Sequence, residues 1–340
     1  MRQTYTFDDV LLVPKHSDIE SRSQVDLSSK LDSRTTLRLP LISSPMDTVT
    51  ETTMALALDS AGGMGVIHRY NTISEQAALI NKAHYAGAQN IAAAIGMTGD
   101  YIDRATEVVK AGANVLCIDV AHGHHAMMKT CLKNLKHEFS EAVHLMAGNV
   151  ATLDAFEQLA DWGADSVRVG IGGGSICSTR IVTGHGVPTL QSIFDVSCTT
   201  YETKIIADGG IKTSGDMVKA LAAGADFVMV GSMLAGTKES PGETLRDNSG
   251  KRYKVYRGMA SSEAQRDWRG KSSTPEGVAT TVPFKGSVRD IIQDIDGGIR
   301  SGLSYTGARS LSQFRSLCDF IVQTQAGQSE SNTHILWRNK

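Results

Sequence analysis

Eight short apolar runs recur along the chain at fairly regular spacing, and this repetition limits the fold more than any other feature of the sequence. Each run is nearly continuous in apolar character and rich in β-branched residues, as expected of strands that are buried on both faces. Helical patterns lie between them, at Glu75–Ala86, Tyr101–Ala111, Leu153–Trp162 and Ser214–Ala223. The predicted strands lie within Pro40–Met46, Gly63–His68, Asn90–Gly96, Val115–His122, Val143–Val150, Ser166–Gly172, Lys204–Ile211 and Asp226–Met233.

The alternation of strands and helices predicts an α/β fold, and eight such units predict a TIM (β/α)8 barrel. A doubly wound open sheet is the alternative, but it usually carries a GxGxxG motif after its first strand, which is absent here. We expect one barrel domain over residues 1–340. Residues 239–286, called the excursion below, have no clear period and are expected to form a flap over the active-site face. The polar tail, residues 325–340, is by itself typical of a mobile terminus.

Composition and charge exclude several classes of function. The formal net charge is −2, so no basic surplus suggests a nucleic-acid or membrane partner, and no apolar run reaches membrane-spanning length. The N-terminus has no apolar signal core, which argues against a secretory peptide. Five cysteines are scattered without a CxxC pair, so neither a disulfide framework nor a zinc site is expected. These features together favour the reducing cytoplasm.

A glycine-rich segment with a cysteine follows the sixth predicted strand. Residues 170–180 read GIGGGSICSTR. Glycine-rich turns let the backbone approach a ligand closely and point N–H groups at an anion. A cysteine in such a loop, near a helix start, is expected to have its thiolate favoured, which predicts Cys177 as a nucleophile. Cys117 lies inside a predicted strand and is expected to be a buried small hydrophobe.

Two further glycine turns, ADGGI at 207–211 and VGSM at 230–233, close the seventh and eighth predicted strands. Loops at these positions of a barrel often bind phosphate. Asp208 would repel a phosphate and is therefore predicted to accept hydrogen bonds from ribose hydroxyls. The residues predicted to donate to the phosphate are Gly209, Gly210, Gly231 and Ser232. Ordinary turn glycines are the alternative, but two such turns side by side favour a phosphate site.

The motif DVAHGHH at 119–125 places three histidines near one aspartate. A metal site is one interpretation, but no second cluster of ligands accompanies the motif elsewhere in the sequence. Asp119 lies at the end of a predicted strand, where it is better placed to contact the ribose or the amide of a cofactor.

Together these motifs resemble the IMP dehydrogenase / GMP reductase family, almost from end to end. The resemblance includes TFDDVLLVP at 6–14, SSPMDTVTE at 43–51, GMGVIHR at 63–69, MAGNVAT at 146–152, YRGMAS at 256–261 and GGIRSGLSYTGA at 297–308. Several separate signatures in the right order make the match specific. The family usually has proline where this chain has Gly173, a difference expected to loosen the cysteine loop without removing the nucleophile.

The resemblance implies that Cys177 attacks C2 of a purine nucleoside monophosphate, GMP or IMP, and that hydride moves between C2 and a nicotinamide cofactor. Thr179 and Glu276 match the proton-handling residues. The substrate-binding positions are Ser44, Met46, Ser175, Asp208, Gly209, Gly210, Gly231, Ser232, Tyr256, Gly258 and Met259, and the cofactor-side positions are Asp119, Asn149 and Gly170. The resemblance also implies a potassium ion held by Gly172, Gly174 and Cys177, with Glu330 and Ser331 of a neighbouring subunit, and hence a homotetramer.

The choice between the two activities of the family depends on the excursion. The resemblance implies that a dehydrogenase activates water with an Arg-Tyr pair on a longer flap, and the segment between Met259 and Glu276 is short and lacks that pair. Arg266 and Arg269 are possible substitutes, but solvated surface charge is the simpler interpretation. The resemblance also implies that dehydrogenases usually carry a pair of regulatory modules after the second strand, and none fits between Ile73 and Asn90. Reductases often lack these modules, but so do some dehydrogenases. Against this, DVAHGHH differs from the asparagine-bearing form familiar from many reductases, and GGIRSGLSYTGA and the ESNTH tail resemble bacterial dehydrogenases.

We give the residues that would perform the reaction more weight than the likeness of the scaffold to dehydrogenases. We therefore predict a GMP reductase that converts GMP and NADPH to IMP, ammonia and NADP. The alternative is an IMP dehydrogenase with a divergent short flap, which would convert IMP, NAD and water to XMP and NADH. A nucleotide-binding protein without activity is a third interpretation. The presence of Cys177, Thr179 and Glu276 together speaks against it.

Overall fold

A closed barrel of eight parallel strands forms the centre of the computed structural model, which describes residues 2–331. Each strand pairs with the next in sequence, and β8 returns to β1 with Val228 opposite Leu41 and Val230 opposite Ser43. The strands are β1 (Leu41–Ser43), β2 (Met64–Ile67), β3 (Ile91–Ile95), β4 (Val115–Asp119), β5 (His144–Val150), β6 (Ser166–Val169), β7 (Lys204–Asp208) and β8 (Phe227–Val230). The prediction of a TIM barrel is confirmed.

Helices lie on the outside of the barrel and, in two cases, beside the opening at the carboxyl ends of its strands. They are α1 (Thr52–Ala61), α2 (Ile73–Tyr85), α3 (Tyr101–Lys110), α4 (Ala126–Phe139), α5 (Leu153–Asp161), α6 (Thr179–Thr183), α7 (Thr189–Val196), α8 (Ser214–Ala222), α9 (Ser262–Arg269), α10 (Val288–Ser304), α11 (Leu311–Leu317) and α12 (Gln325–Glu330). The four helices predicted from periodicity are present. The α2 helix starts two residues before the predicted start because a capping box at Thr72 and Glu75, and not the apolar pattern, sets its first turn. In the described part of the chain, no helix is both long and apolar enough to cross a bilayer.

The barrel interior is filled by side chains from alternate strand positions and is sealed at its amino end by a small hairpin. Ser29–Lys30 pairs with Thr36–Leu37, and this hairpin inserts Leu31 and Leu37 among the interior residues. Cys117 belongs to the same buried cluster, as predicted, and burial raises the pKa of its thiol to about 12. The interior is therefore a packed core and the barrel has no open pore at this end.

A buried chain of hydrogen bonds attaches this hairpin to the barrel. Asp32 lies 3.0 Å from Nδ1 of His144, and Nε2 of His144 lies 2.8 Å from Oγ of Ser166, so three sequence regions join beneath the strands. Burial by itself would raise the pKa of Asp32, but hydrogen bonds from His144 and from the amides of Arg34 and Thr35 overcome it and hold that pKa well below its usual range. Ionised Asp32 thus stabilises the closed amino end.

The excursion has regular structure that its sequence pattern does not indicate. Arg252–Arg257 is the middle strand of a small sheet and pairs antiparallel with both Leu245–Arg246 and Ala279–Pro283. In the sequence, α9 connects Arg252–Arg257 to Ala279–Pro283. The two outer strands have no buried residue, and in Arg252–Arg257 the two buried positions that alternate with more exposed ones are Lys254 and Tyr256, so the sequence shows no apolar alternation.

The start of the polar tail is also ordered. The α12 helix covers residues 325–330 and is capped by the Thr324 side chain, which accepts from the amide of Gly327. The strand before it, Phe320–Val322, pairs with Val10–Leu12 near the other end of the sequence. The sequence pattern does not indicate this helix, because a helix that is polar on all sides shows no apolar period. Residues 332–340 lie outside the described residues.

We predict that Asp32→Asn lowers the free energy of unfolding by roughly 1–3 kcal/mol at pH 7, because a buried ionic hydrogen bond is lost. A carboxyl with a lowered folded-state pKa stabilises the fold above its unfolded pKa of about 3.9, and this contribution is lost as the pH falls further. Denaturant unfolding of both proteins between pH 7 and pH 3 should therefore show a difference that shrinks below about pH 4. Asp18→Asn, which alters an exposed pair with Arg309, is the control and should change stability little.

Candidate active site

One cavity of about 470 Å³ opens at the carboxyl ends of the strands. Its lining brings together every residue that the sequence analysis assigned to catalysis, nucleotide binding or the cofactor side, although they come from eight separate segments of the chain. Gly172 and Gly174 line the same cavity, whereas Glu330 and Ser331 do not. Those two residues are exposed at the end of α12, and the Ser331 hydroxyl donates within its own segment to Gly327 and Gln323.

The cysteine loop runs from the end of β6 to α6 and places Cys177 half-buried at the cavity wall. The Cys177 thiol lies 3.2 Å from the Thr179 hydroxyl, and the Cys177 amide donates to the carbonyl of Gly174 at 3.1 Å. Two backbone hydrogen bonds tie the loop to the excursion, from Ser178 to the Glu276 carbonyl and from Val278 to the Ile176 carbonyl, both at 3.0 Å. The nucleophile candidate and Glu276 are thereby held by one backbone pairing.

Two glycine-rich loops touch each other beneath the cavity. Gly170 has φ +144°, and a Cβ at this position would lie 1.9 Å from the carbonyl oxygen of Asp208, so no other residue fits. A Cβ on Gly173 would lie 2.6 Å from Oγ1 of Thr189. A side chain at position 173, including the proline that the resemblance leads one to expect, would therefore require Thr189 to shift.

The turns after β7 and β8 face the same end of the cavity as Ser175. The phenol of Tyr256, on the excursion, lies 3.4 Å from the Ser175 hydroxyl, and burial raises the pKa of this tyrosine. Lys285 donates to the carbonyls of Ser232 and Met233 at 2.6 and 3.1 Å and so fixes the turn after β8. The sequence analysis missed Lys285, because nothing local distinguishes a lysine that binds a distant turn from a solvated one.

A buried arginine joins the carboxylates on the cavity floor. Arg168 of β6 donates from Nη1 to Asp119 at 2.7 Å and from Nε and Nη2 to Asp208 at 3.1 and 2.9 Å. Asn149 donates to the same Asp208 oxygen at 2.8 Å and to the carbonyl of Gly170 at 2.9 Å. Burial would lower the pKa of Arg168, but the two carboxylates raise it well above its usual value. A charge inside the apolar run SVRV was the available signal, and the sequence analysis did not use it.

A second cation in the cavity was also missed. Arg69, just after β2, lines the cavity and donates to the main-chain carbonyl of Asp119 at 3.1 Å. Its guanidinium also lies over the ring of Tyr70, 5.6 Å from the centroid. Arg69 therefore brings positive charge to the side of the cavity that is assigned to the cofactor.

An ion pair fastens the excursion to the barrel. Arg257 donates to Asp47 through Nε and Nη2 at 2.9 and 2.6 Å, and to Asp267 of α9 at 2.5 Å. Burial would lower the pKa of Arg257, but the hydrogen bonds to both carboxylates raise it. The Asp47 side chain is largely buried, whereas that of Asp267 is 65% exposed, so the two contacts are screened by water to different degrees.

Aromatic contacts hold α9 against the barrel beside the cavity. The rings of Tyr70 and Trp268 stack with centroids 5.6 Å apart, and Arg104 lies over the Trp268 ring. The Tyr70 hydroxyl donates to the Met259 carbonyl at 2.7 Å. In this arrangement the described side chains of the excursion give the cavity one carboxylate and no guanidinium: Arg266 is exposed and does not line it, and the side chain of Arg269 lies outside the described residues.

Comparison with known proteins decides the family. The family model described as the IMP dehydrogenase / GMP reductase domain matches residues 4–334. This chain belongs to the IMP dehydrogenase / GMP reductase family. Its members are purine-nucleotide oxidoreductases that use a nicotinamide cofactor.

The named relatives include both dehydrogenases and a reductase of this family. The chain is 35% identical to inosine-5'-monophosphate dehydrogenase of Nitrosopumilus maritimus, over 98% of each protein, and 36% identical to that of Borreliella burgdorferi, over 98% of this chain and 97% of the relative. The first alignment spans 470 positions, more than the 340 residues present here, so that relative carries inserted segments. A structure of a cysteine-to-alanine variant of GMP reductase from Trypanosoma brucei with guanosine 5'-monophosphate has TM-score 0.92, 30% identity and 98% coverage of both chains.

We predict that Asp47→Asn loosens the excursion. The variant removes the buried charge that pairs with Arg257, and charged hydrogen bonds contribute roughly 1.5–3 kcal/mol each, so the excursion should open at least about tenfold more often. Trypsin cleavage within residues 239–286, followed by mass spectrometry, should accelerate accordingly. Asp267→Asn alters the exposed partner of the same arginine and should accelerate cleavage much less. Equal rates in both variants would contradict this account of the contact.

Proposed function

We propose that this member of the family is a GMP reductase, which converts GMP and NADPH to IMP, ammonia and NADP. The supporting observation is the composition of the cavity beside Cys177. Among the described side chains, the excursion contributes a carboxylate, Glu276, and no arginine that could serve as the base for activating water. Reductive deamination needs protons delivered to a leaving amine and needs no water activation, so a carboxyl and a hydroxyl suffice.

In the proposed reaction the Cys177 thiolate adds to C2 of GMP, and the C2–N bond then breaks as the amino group leaves with a proton. Hydride from NADPH next adds to C2, and the C–S bond breaks to release IMP and restore the thiolate. Thr179 lies 3.2 Å from Cys177, and we propose that it passes protons between Glu276 and the leaving amine. The nicotinamide supplies the hydride, and the protein positions the purine and excludes water.

For the nucleotide we propose that Asp208 accepts from the ribose hydroxyls and that Ser175, Gly210, Gly231, Ser232 and Tyr256 bind the phosphate. Backbone amides and hydroxyls can hold a phosphate without a basic side chain when the turns are rigid. The contact between the two glycine-rich loops and the two hydrogen bonds from Lys285 supply that rigidity. Asp119, Asn149 and Gly170 are proposed for the nicotinamide side.

Potassium and a homotetramer are part of this proposal. The carbonyl oxygens of Gly172, Gly174 and Cys177 are hard donors of the kind that suit such a cation. The Gly174 carbonyl already accepts from the Cys177 amide, so an ion here would also hold the cysteine loop in shape. Glu330 and Ser331 do not line the cavity of their own chain, and we propose that a neighbouring copy supplies them to the site.

An IMP dehydrogenase is the second candidate, and two observations favour it. The named relatives of similar sequence are dehydrogenases, and Arg69 brings a guanidinium into the cavity from β2. In this case a water molecule would attack C2 after hydride transfer, and Arg69 is the first residue to test as its activator.

The deciding experiment follows NAD(P)H absorbance with the purified protein in two mixtures. One contains GMP with NADPH, and the other contains IMP with NAD and potassium. We expect loss of NADPH with GMP, together with formation of IMP and ammonia. Growth of NADH with IMP, together with formation of XMP, would overturn the reductase in favour of the dehydrogenase.

We predict that Cys177→Ala reduces turnover on the order of a thousandfold or more, since the covalent path is lost.

Glu276→Gln should reduce turnover by about a hundredfold or more and leave the Kd of GMP within about threefold, because its role is proton transfer. Steady-state kinetics and calorimetric titration measure the two effects. Cys198→Ala, at an exposed cysteine outside the cavity, is the control. Undiminished turnover of Cys177→Ala would eliminate the covalent mechanism.

A further inference from the structure

A single buried guanidinium contacts both acidic residues of the cavity floor. Arg168 is 6% exposed, and its donors reach Asp119 on β4 and Asp208 on β7, two residues that come from strands on either side of it. We infer that Arg168 is a positioning residue that orients the nucleotide-side and cofactor-side carboxylates together, so that both ligand subsites depend on one side chain. The inference rests on the proposed assignment of Asp208 to the ribose and of Asp119 to the cofactor, and it holds for either direction of the reaction.

The hydrogen bonds leave one oxygen of each carboxylate available. Oδ2 of Asp208 accepts from Nε and Nη2 of Arg168 and from Nδ2 of Asn149, at 2.8–3.1 Å. Its Oδ1 has no hydrogen-bond partner within residues 2–331. Oδ1 of Asp119 accepts from Nη1 of Arg168, and its Oδ2 forms an ion pair with Nε of Arg69 at 3.9 Å, beyond hydrogen-bond distance. In each carboxylate one oxygen therefore makes no hydrogen bond and can accept one from a ligand, while the other oxygen fixes its rotation.

The charges explain why this position needs an arginine. Two carboxylates on one half-buried wall repel each other, and a cation placed between them offsets that repulsion. A guanidinium has donors in a planar fork that can serve both at once, whereas a lysine ammonium is a point charge that can sit close to only one of them. Arg168 also donates to Sγ of Cys117 at 3.5 Å, which fixes the guanidinium against the barrel core.

The test measures ligand binding in the full-length chain by calorimetry. Wild type, Arg168→Lys and Arg168→Met are titrated with GMP, IMP, NADP and NAD. We expect Arg168→Met to weaken both the nucleotide and the cofactor by about tenfold or more, as the loss of charged hydrogen bonds implies. Arg168→Lys should preserve one of the two affinities better than the other. The rate of Cys177 alkylation by iodoacetamide should stay within about twofold, because the hydrogen bonds of the cysteine loop do not involve Arg168.

A double-mutant cycle separates positioning from general stability. In the wild-type background Asp208→Asn should weaken nucleotide binding by about tenfold. In the Arg168→Met background the same change should weaken it little further, since the carboxylate is no longer held in place. Arg315→Lys is the matched control: this arginine is paired with Asp226 at the amino end of β8, away from the cavity, and the change should leave all four affinities unaltered.

The outcomes distinguish this inference from the proposed function. Additive effects in the cycle, or the weakening of one ligand only by Arg168→Met, would overturn the inference. If Arg168→Met does not fold, Arg168→Lys tests the same point: unchanged affinity for both ligands would overturn the inference, and an unequal loss supports it. If the wild type binds and turns over IMP with NAD instead, the proposed reductase is wrong, and the cycle measured with that pair still tests Arg168.

Discussion

Closure of the barrel is the constraint on which the rest of the structure depends. The amide of Val228 donates to the carbonyl of Pro40, and the β8–β1 ladder that follows leaves no strand of the barrel with an unpaired edge. Because all eight strands are parallel, their carboxyl ends meet around one opening. Residues that are far apart in sequence, such as Ser44 and Cys177, then line the same cavity. The hairpin that carries Leu31 and Leu37 seals the opposite end, so the packed interior and the open cavity are separated along one axis.

The site itself is made mostly of backbone. The close contacts of Gly170 with the Asp208 carbonyl, and of Gly173 with the backbone of Gly209, bring two loops together at distances that side chains would prevent. Such loops are rigid only if other contacts hold them, and here the contacts come from the excursion. Its backbone pairs with the cysteine loop around Ile176 and Ser178, and Lys285 holds the turn after β8. The excursion is therefore part of the cavity wall.

Electrostatics divide the cavity into two regions. The end proposed for the phosphate has glycine turns, hydroxyls and the phenol of Tyr256, while the floor carries Asp119 and Asp208 around Arg168. Under the proposed assignment, an anionic nucleotide would keep its phosphate away from the carboxylates and meet them with its hydroxyls, which would give the ligand a single orientation. This proposed arrangement is compatible with either reaction of the family.

The sequence alone determined the barrel, the cysteine loop and the two glycine turns, because the strand period, glycine clusters and strand-end polar residues are local signals. It also carried the family resemblance, which led to Thr179 and Glu276. It did not indicate the strands of the excursion or α12, since exposed elements leave no apolar pattern. Arg168, Arg69 and Lys285 acquired their partners only in the tertiary structure, where strands distant in sequence become neighbours. The sequence does not show whether a charged side chain is solvated or buried, and only the fold decides which carboxylate or carbonyl it contacts.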